Sequence, residues 1–196
     1  SEASRPKKMM PEILDADLCA LVLTSAAWGA LRRDGLPWLT PPPASAWDQA
    51  VGLLTMLGAL DARGQLTERG RAMARLPLHP RLANMLRTYA RGTDAARTAC
   101  RLAAILEEGA KSRETDIRYV PVTPRVAQLT RRFEAALRVG GVSGGAKPSE
   151  GALLARAYPD RIARSRGNGT FQMVSGRGAF LSDDDPLAHE PFLVCC

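Results

Sequence analysis

The sequence predicts a mainly α-helical chain with a small β part, and three observations support this class. The 196 residues are 45% hydrophobic, which is enough to bury a core. Aromatic residues make up only 5% while Ala, Leu and Arg are abundant, which favours small helical units over an all-β sandwich. Apolar residues recur at helical spacing as far as Leu137, and from Arg161 onward the period becomes two.

The first part of the chain predicts two helices that carry apolar residues on one face. One helix is expected over Ile13–Trp28. A rigid, Pro-rich connector follows, since each Pro fixes its own φ. The second helix is expected to begin at Ser45, where Asp48 completes a capping pattern, and to end near Gly58.

The next stretch completes the element order of a winged-helix unit. Residues 59–67 (ALDARGQLT) predict two very short strands around a turn. Thr67 then caps a helix over Glu68–Leu76. Winged helices often bind DNA through a basic recognition helix, but the candidate segment Trp47–Leu57 contains one acid and no base. An architectural role is therefore favoured over sequence-specific DNA binding.

Beyond this unit a Pro-bracketed corner leads into three short amphipathic helices. Pro77 ends the preceding helix, and Pro80 can start the next one because its missing N–H costs nothing at the first helical position. The first of the three helices ends at Gly92, the second ends at Gly109, and the third begins at Thr123. Together they predict a small bundle.

The last part of the chain predicts the start of a small antiparallel β domain. The Gly-rich stretch 140–147 marks a boundary, and a short helix over Ser149–Tyr158 follows it. Strands are then expected at residues 161–166, 170–175, 178–181 and 192–195, with a Gly-Asn-Gly turn between the first two. An OB-like barrel is one fold that can begin in this way.

The net charge of +7 is concentrated in the middle of the chain. Residues 63–150 carry seventeen Lys and Arg against eight Asp and Glu, whereas the segments before and after carry five against seven and five against five. A basic region of this kind is expected of a surface that meets nucleic acid. A set of solvated helix faces is the alternative interpretation of the same charge.

No pattern for catalysis, nucleotide binding or metal binding is found. There is no phosphate-binding P-loop, and the two histidines, His79 and His189, lie far apart without a metal-binding motif. The four cysteines lack metal-ligand spacing, and a reduced, cytoplasmic compartment fits them best. No apolar run approaches the length needed to span a membrane. The chain is thus expected to hold no cofactor and to have no catalytic residues or membrane partner.

A long segment resembles bacterial DEAH-box ATP-dependent helicases of the HrpB type. The segment is GALDARGQLTERGRAMARLPLHPRLANML, and it matches the family's run of the same motifs in the same order. Similar blocks flank it, among them PEILDADLCALVLTSAAWG upstream and AYPDRIARSRG and SGRGAFLSDDDPLAHEPFLV downstream. The resemblance covers nearly the whole chain from Pro11 to Val194.

The resemblance implies that this chain is the C-terminal accessory part of such a helicase, with two RecA-like domains missing upstream. Those domains would hold ATP and Mg, so this chain alone is expected to hydrolyse no nucleotide. The implied domains are an exit arm over 1–10, a winged-helix unit over 11–78, a helical ratchet bundle over 79–148, and an incomplete OB-like domain over 149–196. The implied partners are single-stranded RNA or DNA and the RecA-like domains of the same parent chain, in a bacterial cytoplasm.

The resemblance also suggests which residues matter. Basic residues in the block similar to YPDRIARRR, and others in the loop before the third bundle helix, are candidates for phosphate contact: Arg161, Arg164, Arg166, Lys111, Arg113 and Arg118. In that loop the chain has AKSRETDIR where the family usually has a D-P-L-R-like run. Matched residues of the Pro-bracketed corner are expected to form a structural elbow between the winged helix and the ratchet: Pro77, Pro80, Arg81 and Leu82.

Three hypotheses follow for function. The leading one is an accessory module that guides a single strand for a RecA-type motor. The second is a free-standing winged-helix regulator that binds duplex DNA. The third is a protein-docking scaffold whose basic faces meet acidic partners.

Overall fold

The computed structural model describes residues 10–30, 32–89, 91–109, 114–137 and 148–196, and the chain divides into two compact units, Ser1–Pro80 and Arg81–Cys196. The described residues form seven α-helices and one four-stranded antiparallel sheet, which confirms the mainly α fold with a small β part. No helix among them has the length and apolar character needed to cross a membrane. Residues 1–9 of the predicted arm over 1–10 and the Gly-rich boundary over 140–147 lie outside the described residues.

The first unit contains three helices and a minimal wing. The helix α1 spans Cys19–Ala27, α2 spans Ala44–Met56 and α3 spans Glu68–Ala74, and α1 packs against both of the others. Between α2 and α3, Leu60 and Leu66 form a single antiparallel bridge, so the two predicted short strands are reduced to one pair. The buried Gly70 lets α3 approach this wing, because a Cβ there would lie 2.2 Å from the Ala59 carbonyl oxygen. Thr67 caps α3 as predicted by accepting the Gly70 N–H.

Two predicted helix starts in this unit are wrong. The segment Glu12–Leu14 is a short 3-10 helix, and α1 begins only at Cys19 because the Asp17 side chain accepts the Cys19 N–H at 2.8 Å. The second helix begins at Ala44 rather than at Ser45. Its N-cap is Pro43, which makes no side-chain capping bond, so the predicted capping pattern is not used.

The second unit is built on a small helical core. The helices are α4 over Pro80–Leu86, which starts at the last residue of the first unit, α5 over Asp94–Glu108, α6 over Pro124–Ala136 and α7 over Glu150–Ala157. The helix α5 is the most deeply buried and packs against α6 and α7. Hydroxyl side chains cap the starts of three of these helices: Thr93, Thr123 and Ser149.

The sheet follows α7. Its strands are β1 over Ile162–Gly167, β2 over Thr170–Met173, β3 over Gly178–Phe180 and β4 over Phe192–Val194, in the order β3-β2-β1-β4. Ala163 and Phe171 are buried on its inner face. The β1–β2 turn depends on Gly169, whose φ is +66° and whose Cβ would lie 2.2 Å from the Leu181 carbonyl oxygen. The predicted strand positions are therefore confirmed to within a few residues.

Arg81 fastens α4 to the end of α7. Its guanidinium is 9% exposed, donates to the Ala157 carbonyl at 3.2 Å, and donates to both carboxylate oxygens of Asp160 at 2.5 and 2.8 Å. The ring of Tyr158 lies 5.0 Å from the guanidinium carbon. Arg81 is thus held by contacts within the second unit, and Leu82 beside it is buried. The elbow role of Pro77, Pro80, Arg81 and Leu82 between the two units stays a prediction.

Candidate nucleic-acid interface

The exposed side of the sheet brings together two of the predicted arginines. Side chains of successive strand residues point to opposite faces, so Arg164 is exposed while its neighbour Ala163 is buried. Arg166, two residues further on, is also exposed. We call the surface formed by the exposed Arg164, Arg166, Phe180 and Phe192, together with the half-buried Gln172, the outer sheet face.

The strand register explains how these residues become neighbours. Arg164 lies opposite Gln172 of β2 on one side and opposite Phe192 of β4 on the other. Directly opposed residues on one face of an antiparallel pair have Cβ atoms about 5 Å apart. Arg166 lies at a bulge in the β1–β2 pairing. Arg164, Arg166 and Phe192 line a shallow depression of about 670 Å³ on this face.

Two exposed aromatic rings on this face were missed by the sequence reasoning. The exposed fractions are 70% for Phe180 and 61% for Phe192. Phe180 lies opposite Thr170 at the edge of the sheet, and Phe192 lies beside Arg164. Their position in short strands was a signal that could have found them, but the register that sets each ring on the outer face depends on pairing with distant strands.

Among the described residues, no neighbouring carboxylate neutralises the charges of the outer sheet face. Within the part of the chain that the structure describes, neither Arg164 nor Arg166 has a carboxylate within the 4.0 Å of an ion pair. Both guanidiniums lie at the surface, so each can hold a phosphate without first giving up an internal partner.

Arg118 differs in this respect. Its Nε donates to the Asp116 carboxylate at 2.8 Å and its terminal nitrogen at 2.5 Å. These hydrogen bonds hold the pKa of Asp116 below its usual value, so the carboxylate stays charged and neutralises Arg118 locally. Arg118 lines a second cavity of about 460 Å³, and Phe192 lines this cavity too. Arg118 therefore lies near the outer sheet face but carries less free charge.

Arg161 lies just outside the strand that carries the other two arginines. The strand β1 begins at Ile162, so the prediction that Arg161 lies in this strand is wrong by one residue. Its guanidinium carbon lies 5.2 Å from the centre of the Tyr158 ring, and its Nε lies 4.0 Å from an Asp160 oxygen. Its contact with a nucleic-acid strand stays a prediction. Lys111 and Arg113 lie outside the described residues.

The outer sheet face therefore combines free positive charge with exposed aromatic surface. Guanidinium groups bind phosphates, and aromatic rings provide a stacking platform for any base. Such a surface suits a flexible, single-stranded polyanion whose bases are accessible.

Known proteins resemble this chain in both sequence and fold. Residues 50–78, which include the wing and α3, match the family model of the winged-helix helicase associated domain HA2. This part of the chain is thus similar to a helicase-associated winged helix. Over 187 residues, or 94% of the chain, it is 38% identical to the ATP-dependent RNA helicase HrpB of Escherichia coli K12. It is also 35% identical over 79 residues, 40% of the chain and 6% of the relative, to the ATP-dependent RNA helicase DEAH13 of Arabidopsis thaliana.

The fold is also similar to that of solved HrpB structures. A crystal structure of the E. coli DExH-box NTPase HrpB matches 95% of the chain with a TM-score of 0.80 at 34% identity, and a second HrpB structure matches 95% with a TM-score of 0.79 at 36% identity. The resemblance to HrpB-type DEAH-box helicases is therefore confirmed. The chain spans 23% of the length of its E. coli relative and 23–24% of the two solved chains.

Proposed function

We propose that this chain is the C-terminal accessory module of an ATP-dependent helicase and guides single-stranded nucleic acid for a RecA-type motor. The observation that carries the proposal is the outer sheet face, where Arg164 and Arg166 have no described carboxylate partner and lie beside exposed aromatic rings. The relatives are named as ATP-dependent RNA helicases, which supports a nucleic-acid strand as the ligand.

In this mechanism the outer sheet face positions the strand passively. The two guanidiniums hold backbone phosphates, and Phe180 and Phe192 stack on bases without selecting among them. Because binding is mostly electrostatic, it is weak, salt-sensitive and indifferent to sequence. In the parent helicase, ATP and Mg bound between the RecA-like domains would drive movement along the strand. This surface would hold the strand in place between successive steps.

A binding assay with the whole 196-residue chain tests the proposal. Fluorescence anisotropy is measured with labelled oligo(U) and oligo(dT) of about 12 nucleotides, a length within the range that one OB domain covers, and with a blunt duplex of equal length. We expect the single strands to bind more tightly than the duplex. Preferential binding of the duplex would favour the winged-helix regulator, and no binding to any probe at low salt would leave the docking scaffold.

The double substitution Arg164→Gln/Arg166→Gln locates the interface. Each phosphate contact adds about 0.7 to the slope of log affinity against log salt for a single strand, so losing two lowers the slope by about 1.4. The corresponding affinity loss is about 70-fold at about 50 mM salt and about tenfold at about 200 mM. The matched control is Arg131→Gln/Arg132→Gln on α6, which removes the same charge from two exposed residues outside this face. An equal loss in both variants would show that bulk charge, rather than the outer sheet face, causes binding.

A further inference from the structure

Three residues with different ligand chemistries meet in the first unit, whereas the outer sheet face belongs to the second. They are Asp17 and Cys19, at the start of α1, and His79, which follows α3. One carboxylate oxygen, the thiol sulfur and one imidazole nitrogen all lie within 4.8 Å of one another. The sequence gives no sign of the cluster, because His79 is separated from the other two by about sixty residues and only the fold brings them together.

The donor set is the one that zinc and similar divalent ions prefer. Thiolate, imidazole and carboxylate are the common protein ligands of zinc, at metal–ligand distances of about 2.3, 2.0 and 2.1 Å respectively. In a tetrahedral site such bonds place neighbouring ligand atoms about 3.3 to 3.6 Å apart. The His79 Nε2 lies 3.4 Å from the Asp17 Oδ2, and this distance already falls within the spacing of neighbouring ligand atoms in a tetrahedral site.

The surroundings fit an ion that enters from solvent and is held on a buried anchor. Cys19 is 4% exposed, whereas the His79 and Asp17 side chains are 28% and 59% exposed. The other Asp17 oxygen, Oδ1, accepts the Cys19 N–H at 2.8 Å, which fixes the orientation of the carboxylate. Hydrogen bonds of this kind orient metal ligands in known sites.

We propose that Asp17, Cys19 and His79 form a binding site for a divalent transition-metal ion of the zinc type, with water as the fourth ligand. Binding replaces the thiol proton of Cys19, which passes to solvent, so the two anionic ligands balance the charge of the ion. The ion would join the start of α1 to the segment after α3. The site is independent of the outer sheet face and of strand binding.

Cobalt spectroscopy provides the test, because Co²⁺ adopts the same geometry and its bond to a thiolate gives a charge-transfer band in the near ultraviolet. The whole chain is used with Cys195→Ser/Cys196→Ser, which removes the adjacent terminal thiols. Burial raises the pKa of the Cys100 thiol to about 12, so this remaining cysteine stays protonated at neutral pH. We expect one equivalent of Co²⁺ to give the band together with the visible absorption of tetrahedral cobalt, and Zn²⁺ to abolish both.

Three further substitutions, each made in that background, identify the ligands. Cys19→Ser should remove the charge-transfer band, and Asp17→Asn and His79→Gln should each weaken Co²⁺ binding by tenfold or more. Far-UV circular dichroism verifies that each variant is folded. If Cys19→Ser does not fold, His79→Gln is the variant that tests whether the ion binds at this site. The absence of a band before these substitutions, or a band that survives Cys19→Ser or His79→Gln unchanged, would overturn the proposal.

Discussion

Replacing Asp160 by Asn tests how much the Arg81 anchor stabilises the second unit. The substitution keeps the shape of the side chain and removes the negative charge that Asp160 places beside a guanidinium that is 9% exposed. Removing one member of a buried ion pair costs about 3–5 kcal/mol. Because the Asp160 side chain is itself 27% exposed, we expect the lower end, about 3 kcal/mol, or an increase of about a hundredfold in the unfolding constant.

Urea unfolding followed by two signals measures this effect. Far-UV circular dichroism reports both units, whereas tryptophan fluorescence reports only the first, since the three tryptophans are Trp28, Trp38 and Trp47. The control is Asp94→Asn, which removes an exposed ion pair with Arg97 and should cost less than about 1 kcal/mol. A cost for Asp160→Asn no larger than that of the control would refute the anchoring role.

The pH dependence of the same variant gives a second check. Hydrogen bonds from Arg81 hold the pKa of Asp160 below its usual value. A carboxyl group whose pKa is lowered by folding contributes stability above its unfolded pKa of about 3.9, and the contribution disappears as the pH falls through the folded pKa. The difference in unfolding free energy between the native chain and Asp160→Asn should therefore be constant near neutral pH and should shrink below about pH 4.

Three further predictions concern single substitutions. Phe192→Ala should weaken oligo(U) binding by about 5- to 150-fold in the anisotropy assay, because base stacking is worth about 1–3 kcal/mol, while the dichroism spectrum stays unchanged; unaltered affinity would remove the ring from the interface. Gly169→Ala should lower the free energy of unfolding by about 1–3 kcal/mol in urea, since its Cβ would lie 2.2 Å from the Leu181 carbonyl oxygen; a neutral effect would contradict the close approach. Gly70→Ala should destabilise the first unit by about 1–3 kcal/mol through the same clash with Ala59, and the tryptophan fluorescence transition should move to lower urea, a shift that a tolerated Cβ would not produce.

Local signals in the sequence predicted most of the secondary structure. Thr67, Thr93 and Thr123 cap the helices that follow them, because a capping bond spans only three residues and needs no tertiary partner. The start of α1 was missed because an Asp17 oxygen accepts a backbone N–H and sets the first turn six residues later than the apolar stripe suggests.

The candidate interface was only half predictable. Period-two alternation places Arg164 and Arg166 on one side of a strand, and both are exposed. The rings of Phe180 and Phe192 join them only through pairing between strands that are distant in sequence. The ion pair of Arg118 with Asp116 depends on the conformation of a 3-10 turn, so the sequence did not show that this charge is locally neutralised.

The ring of Tyr158 lies against two arginines that share one carboxylate. Arg81 is 5.0 Å and Arg161 is 5.2 Å from the centre of the ring, and Asp160 is the ionic partner of both. An anion that draws Arg161 toward itself leaves Asp160 to Arg81 alone. Binding of such an anion would then be thermodynamically linked to the contact of Arg81 with Asp160, and the linkage would be reciprocal. The ion pair between Arg161 and Asp160 is partly exposed and 4.0 Å long, so the coupling free energy is at most about 1 kcal/mol. A coupling of this size adjusts the stability of the Arg81 contact slightly and does not act as a switch.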